Sequence, residues 1–365
     1  MKKHGLLFAA LIIPTGQPDI EIINFAMVES TDSKRSLELN AKTARMHQDE
    51  RLNLLNQVQG KVWGGSGAIY SIRADISIMD TDKQDFRTEG MTSISTPDAY
   101  LFETKNVLYT SSARTMTGKD KVILSPITKL KVAGEQFFLD GEGLRMDLRK
   151  DQLTILENVT AKQDGKNSKK LRITSKSFEF DTLNSNGKFV GNVRVKHPDY
   201  NMQGYSLALN FSKKNENDQR SLQDMFLRRN KASKVKAQID KTTFRSDGFR
   251  ITFTDSGELD KSEAIGSAEA SLEDGVSIKA EKLYSFIEDG VSKFRMEEKV
   301  EIKTIERVAK CEQAIYTPST GEFILYDVAS LSDGDQTIKG EEIIFSTKND
   351  FLKVKKASGK IQKSN

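Results

Sequence analysis

One cysteine, Cys311, stands in 365 residues, with six prolines, three histidines and a single tryptophan. A lone cysteine excludes an internal disulfide framework and leaves the redox compartment open. His4, His47 and His197 are scattered, and none has a partner at metal-ligand spacing. His47 and His197 read as exposed loop positions. There is no Ser-His-Asp order, glycine-rich phosphate loop or nucleophile elbow. The stretch Met79 to Asp85 lacks the glycine and the closing glutamate of a calcium loop, and reads as a hairpin turn. The sequence therefore predicts no catalytic residue, no metal and no cofactor. With 56 basic and 52 acidic residues the net charge is only +4. That near balance, with no basic stripe interleaved with aromatics, excludes nucleic acid as a partner.

Long hydrophobic runs are also missing. The apolar run Gly5 to Pro14 follows two lysines and His4, and is half the length of about twenty residues that a bilayer requires. It has the basic start and apolar middle of an export signal but no small-residue cleavage site. Residues 1–19 are thus a signal, a membrane anchor or an ordinary buried segment, and export or anchoring is the expectation carried forward.

What the chain has in abundance is alternation. From Leu171 to Ser175 apolar or small residues alternate with polar ones, the period-two signature of a half-buried strand. Phe178 and Phe180 then continue the apolar face in the opposite phase, so the chain must bend or bulge between them and Ser175. The same figure, a small residue, two positions, an apolar residue, one position and a large residue, recurs along the chain. It starts at Ala41, Thr104, Gly141, Ser175, Gly204, Gly248, Cys311 and Gly340, with degenerate copies at Ala74 and Ala280. Successive starts lie 29 to 44 residues apart. Tiling at that period means stacked units, none of which can bury its apolar face alone. The expected fold is all-β: a stacked antiparallel jelly-roll or solenoid-like trough.

Residues that carry a family resemblance lie at both ends of the chain. Asn24-Phe25, then Leu37, Leu39, Ala41 and Ala44, and the run Ala68 to Val122 resemble LptC, the periplasmic part of the lipopolysaccharide exporter. From about Gly134 onward, with Leu171, Ile173 and Ser175, then Gly191, Asn192 and Val193, the repeats resemble LptA, the bridge subunit with the OstA-like fold. The resemblance divides the chain into an LptC-like domain over 20–130 and an LptA-like domain over 131–365. It implies a periplasmic, non-enzymatic protein, held at the inner membrane if the N-terminus is an anchor, that shields lipopolysaccharide acyl chains between inner and outer membrane. The implied partners are the inner-membrane ABC exporter and other OstA-like bridge or outer-membrane translocon proteins, joined edge to edge by β-pairing. The lipid-facing positions it implies, all inward by alternation, are Val107, Tyr109, Leu144, Met146, Phe178, Phe180, Leu207, Leu209, Ile251, Phe253, Ile343 and Phe345. Two rivals remain open: a structural β-solenoid with a filled core and no cargo, and a lipid- or polysaccharide-processing enzyme.

One stretch breaks the pattern. Residues 212–238 lack alternation and account for the longest step between repeats. Leu222, Met225 and Phe226 fall at i, i+3 and i+4 after Ser221, which predicts a short amphipathic helix over Ser221 to Arg229. The basic residues Arg228, Arg229, Lys231, Lys234 and Lys236 read as a solvated loop face, with an anionic lipid headgroup as the functional alternative.

Overall fold

Alternating sequence becomes strand at every element. In a computed structural model the described residues are 12–14, 20–31, 34–46, 51–97, 100–126, 130–132, 135–164, 171–184, 186–211, 220–254, 256, 258–273, 275–334, 336–349 and 351–357. Among them all 27 elements are strands, and no helix is long and apolar enough to cross a membrane.

The meander opens with β1 (Ile12–Pro14), β2 (Ile20–Thr31), β3 (Lys34–Met46), β4 (Arg51–Trp63), β5 (Ile69–Asp80) and β6 (Asp85–Ser95). A broken return strand, β7 (Tyr100–Lys105) with β8 (Leu108–Thr110), precedes β9 (Thr115–Pro126), the short β10 (Leu130–Val132), β11 (Glu135–Asp147) and β12 (Gln152–Asp164). A second broken pair, β13 (Arg172–Ser175) and β14 (Ser177–Asp181), leads to β15 (Asn186–Lys196) and β16 (Tyr200–Phe211). Next come β17 (Arg220–Arg228), β18 (Val235–Ile239), β19 (Thr242–Ser246) and β20 (Gly248–Phe253). The chain finishes with β21 (Leu259–Ser271), β22 (Ser277–Glu288), β23 (Val291–Lys303), β24 (Arg307–Thr317), β25 (Glu322–Asp333), β26 (Gln336–Ser346) and β27 (Leu352–Lys355).

Each full-length strand pairs antiparallel with the next, each broken strand (β7 with β8, β13 with β14, β17 with β18, β19 with β20) shares its two halves between its neighbours, and β9 pairs directly with β11, so one ladder runs from β1 to β27. The sequence repeat is one down-and-up pair of this meander. Near the middle of their length most long ladders slip register, as between Asp140 and Glu142, Val190 and Val193, or Tyr326 and Ala329. The extra residue often takes a left-handed conformation, as at Asn158, Asn192 and Ser267. Bulges and strand breaks recurring at about the same height bend the strands there, and the sheet folds lengthwise into two walls.

The small residue of each repeat sits on the inside of that bend. A Cβ on Gly141 would lie 2.6 Å from Ile155 Cγ2, and one on Gly204 would lie 2.7 Å from Leu227 Cγ. The break after Ser175 is real as well: β13 ends there, and the Lys176 N–H leaves the β12 ladder to bond the Gly191 carbonyl at 2.8 Å.

The helix expected over Ser221 to Arg229 does not form; the segment is β17, paired with β16 and β20. Leu222, Met225 and Leu227 all point inward, and the three-residue step from Leu222 to Met225 spans a bulge opposite Asn210 and Phe211. Phe226 faces outward, with the guanidinium groups of Arg228 and Arg250 each 4.7 Å from its ring. His197 is also less exposed than expected, because its ring stacks on Tyr200 at 4.4 Å. His4, His47 and most of residues 1–19 lie outside the described residues; of that segment Ile12–Pro14 pairs with β2.

Candidate functional site

Inside the fold, cross-strand neighbours form an apolar rung that passes from strand to strand without a gap. It runs Leu144, Ile155, Phe178, Phe189, Leu207, Leu227, Phe249, Ala264, Leu283, Met296, Ala314, Leu325, Ile343, Val354, each directly opposite the next. Thirteen steps at about 4.8 Å give it a length of roughly 60 Å. Beside it, Phe294, Tyr316, Phe323 and Phe345 stack in sequence, with centroids 6.1, 4.1 and 5.1 Å apart.

All twelve sequence-predicted site residues face this interior. Leu144, Phe178, Leu207 and Ile343 are on the rung, and Met146, Phe180, Leu209, Ile251 and Phe345 lie one position beyond it on the same strands. Val107, just before β8, and Tyr109 within it continue the face, while Phe253 is half-buried at the end of β20. The other eleven are no more than 4% exposed, so the interior is packed with side chains. Across it the Tyr100 ring meets Phe180 edge-on at 4.8 Å, and Phe244 lies 6.2 Å from Phe294. Burial pushes the Tyr109 hydroxyl up to about 12, with the Glu29 carboxylate adding to the shift.

The two walls meet along a seam, and the seam is staggered. The turn between β4 and β5 is at the upper edge, yet it bonds the lower-edge turns after β8 and β11. The Gly65 N–H donates to the Leu148 carbonyl at 2.6 Å, and the Ser66 N–H to Asp151 Oδ2 at 3.0 Å. Arg114 of the lower turn donates to the Trp63 carbonyl. Beneath them the Tyr70 hydroxyl donates to Asp151 Oδ1 at 2.8 Å and shares a 2.6 Å hydrogen bond with Thr182. Tyr70, Asp151 and Thr182 are all buried, and burial raises the Tyr70 phenol far above its ordinary range, keeping it a neutral donor.

A second joint follows where β10, in the upper turn between β9 and β11, pairs in parallel with the start of β17 on the lower edge. The first joint reaches both the turn after β8, three ladder positions on, and the turn after β11, five on, and in the second β9 reaches β16, also five on. Sequence reasoning did not find this lock. Gly64-Gly65 was its available signal, since a Cβ on Gly65 would lie 2.2 Å from the Arg149 carbonyl oxygen.

The basic run after β17 is mostly satisfied. Arg229 pairs with Asp247 at 2.9 Å and Lys234 with Glu269 at 3.2 Å, which supports the solvated-loop reading. Among the described residues no group of three His, Cys, Asp or Glu is arranged to hold a metal ion.

Comparison with known proteins places one segment. Residues 172–351 match the family model described as LptA/(LptD N-terminal domain) LPS transport protein. No curated protein matches the chain. Among solved structures it is similar to LptH, the LptA homologous periplasmic component of the lipopolysaccharide transport device from Pseudomonas aeruginosa. That likeness has 13% identity, covers 53% of this chain and 89% of that one, and has a TM-score of 0.14.

Proposed function

We propose that the chain is a periplasmic component of lipopolysaccharide transport, a carrier rather than an enzyme, which shields acyl chains between the two walls of its sheet. One observation carries the reading: the unbroken rung from Leu144 to Val354 lies mostly within the segment, 172–351, that is similar to the LptA/LptD N-terminal family. Moving a lipid tail into water is unfavourable by about 0.8 kcal/mol per CH₂, so a carrier needs an apolar lining without gaps. The twelve inward residues, from Val107 to Phe345, are the proposed contacts. Residues 20–130 form the proposed LptC-like part and 131–365 the LptA-like part, with residues 1–19 directing export or anchoring at the inner membrane. The proposed driver of movement is an inner-membrane ABC exporter. The outer edge of β27, bearing Lys353 and Lys355, and the upper half of β26, which has no strand on that side among the described residues, are the proposed docking edges for OstA-like bridge or outer-membrane proteins by strand addition.

A photo-crosslinking residue at Phe180, Leu209 or Phe253 should capture lipopolysaccharide, and one at the outward neighbours Glu179 or Ala208 should capture little. Equal capture from both faces, or none from either, would refute the carrier. The packed interior favours one other reading, a scaffold whose core is filled by its own side chains, and that reading expects no capture anywhere.

A further inference from the structure

A net charge of +4 conceals an uneven distribution. On the outer face of the upper wall, from β12 to β19, ladder partners form two parallel rows of side chains. The first runs Lys162, Arg172, Lys196, Asn201, Gln238, Thr243, each directly opposite the next. The second, two residues nearer the bend, runs Thr160, Thr174, Arg194, Gln203, Lys236, Arg245. Of these twelve positions six are cations and the rest are amides or threonines; none is acidic and none is apolar. All six cations are exposed, and none forms an ion pair among the described residues. The second row is bounded at both ends by acids already engaged. Thr160 is opposite Asp140, which pairs with Lys121 at 3.4 Å, and Arg245 is opposite Glu269, which pairs with Lys234 at 3.2 Å. Toward the C-terminus outward charges are instead matched across rungs, as at Lys282–Glu298 (2.9 Å), Lys299–Glu281 (3.2 Å) and Lys355–Glu342 (2.6 Å). Like charges directly opposite one another destabilise a sheet, so Lys162, Arg172 and Lys196 abreast carry a cost that no described acid relieves. Where the second row meets the bend, the break after Ser175 leaves a groove of ≈ 550 Å³. Thr174, Arg194 and Gln203 line it from the row, Asn158, Lys176 and Asn192 from the bend, and Glu157 is the single acid of the lining.

We propose that this face binds an acidic polysaccharide, a carboxylated glycan laid across the strands, with Lys176 and Arg194 holding one carboxylate-bearing unit in the groove. Rungs repeat at about 4.8 Å, close to the length of one pyranose unit, so an extended glycan presents successive sugars to successive strands. The cations supply the charge contacts. The amides of Gln203, Asn201 and Gln238 and the threonine hydroxyls, set among them, both donate and accept, as sugar hydroxyls require. A bilayer surface is the other partner a basic face suits, but its binding draws on buried apolar area as well as charge, and these twelve positions offer no apolar side chain. The face lies outside the interior and its occupant needs no acyl chain, so the inference stands apart from the carrier reading.

The test titrates full-length protein with polygalacturonate oligomers, with neutral maltodextrins of the same length, and with phosphatidylcholine vesicles containing phosphatidylglycerol. Polygalacturonate should bind, and the other two should bind far more weakly. Arg194→Gln with Lys236→Gln should lower polygalacturonate affinity roughly tenfold, as two exposed charge contacts allow. Lys282→Gln with Lys299→Gln removes the same net charge from the ion-paired region and should change affinity by less than about twofold, since distant charges are screened. Gln203→Ala alters no charge and should weaken binding about threefold, the loss of one neutral hydrogen bond. Circular dichroism confirms that each variant folds. An equal loss in both double variants reduces the effect to net charge and overturns the site. Unchanged affinity in Gln203→Ala overturns the hydrogen-bonded glycan in favour of a charge-only contact. Binding to anionic vesicles with none to polygalacturonate overturns the glycan and assigns a membrane surface. No binding to any of the three overturns the proposal outright.

Discussion

Replacing Asp151 with alanine should open the seam at its N-terminal joint without unfolding the sheet. The carboxylate is 2% exposed and accepts from the Ser66 N–H at 3.0 Å and the Tyr70 hydroxyl at 2.8 Å. A hydrogen bond to a charged group contributes about 1.5–3 kcal/mol. Tyr70 keeps Thr182 as a partner at 2.6 Å, and Thr182 keeps the Asp151 carbonyl at 2.7 Å, so part of the network survives. The net loss should be about 3 kcal/mol. Because the pairing of a stacked sheet runs from neighbour to neighbour and the lost bonds lie at one joint, the loss stays largely local, and a global melting temperature is a poor reporter. Amide hydrogen exchange is a direct one: at 1.4 kcal/mol per factor of ten, Gly65 and Ser66 should exchange about 100-fold faster. The distant β22–β23 ladder, with its own register, should be unaffected. An acceleration below about fivefold at Gly65, or an equal one in β22–β23, would refute the lock. Tyr70→Phe removes only the second of the two donors to the carboxylate and should show a smaller effect at the same amides.

The glycines of the bend make a paired prediction. Gly204→Ala should destabilise by about 1–3 kcal/mol in chemical denaturation, because its Cβ would meet Leu227 Cγ at 2.7 Å and the Arg228 carbonyl at 3.1 Å. Gly118→Ala, whose nearest contact would be an ordinary 3.6 Å, should be neutral or stabilising by up to about 1 kcal/mol. The Cys311 thiol supplies a pH test: burial raises it from 9.0 to about 12, so the folded protein holds this proton where the unfolded chain releases it. The thiol's contribution to stability is therefore complete below about pH 9 and falls away as pH climbs toward 12. Iodoacetamide at pH 8.5 should leave Cys311 unmodified until denaturant is added, and prompt alkylation of the native protein would contradict its burial.

The parts of this fold that a reader of the sequence can find are those written in local steps. The three-residue jump from Gly141 to Leu144, or from Cys311 to Ala314, is the bulge itself, and both ends of each jump are buried. Alternation then gives the inward side of every strand, which is why the twelve site residues fall on one face. The same step misled at Leu222 and Met225, where i, i+3 spacing fits a helical face as well as it fits a bulge. Phe226, which completed the helical pattern, is an outward residue covered by two arginines. The seam left no local trace. Its stagger depends on how far the folded sheet twists before its edges meet, and that sums small rotations over five ladders. Tyr70, Asp151 and Thr182 are 81 and 31 residues apart along the chain, so nothing in their neighbourhoods announces the contact.

A packed interior and a lipid-carrying one are not opposed once the hinge is considered. The ladder hydrogen bonds lie within each wall, and the line of bulges at mid-strand is where the walls join. Parting the walls bends the chain at positions such as Asn192 and Ser267, already turned out of strand conformation, and leaves the ladders intact. What parting exposes is apolar surface, unfavourable by about 25 cal/mol per Å² if water filled the gap. An acyl chain in the gap removes that penalty and brings its own burial, about 10 kcal/mol for a dozen CH₂ groups at 0.8 each. On the proposed carrier reading, the empty protein would close on its own side chains and a loaded one would stay open around its cargo. On that reasoning the bonded joints would decide where the walls could part: the Asp151 network and the β10–β17 pairing would both resist opening.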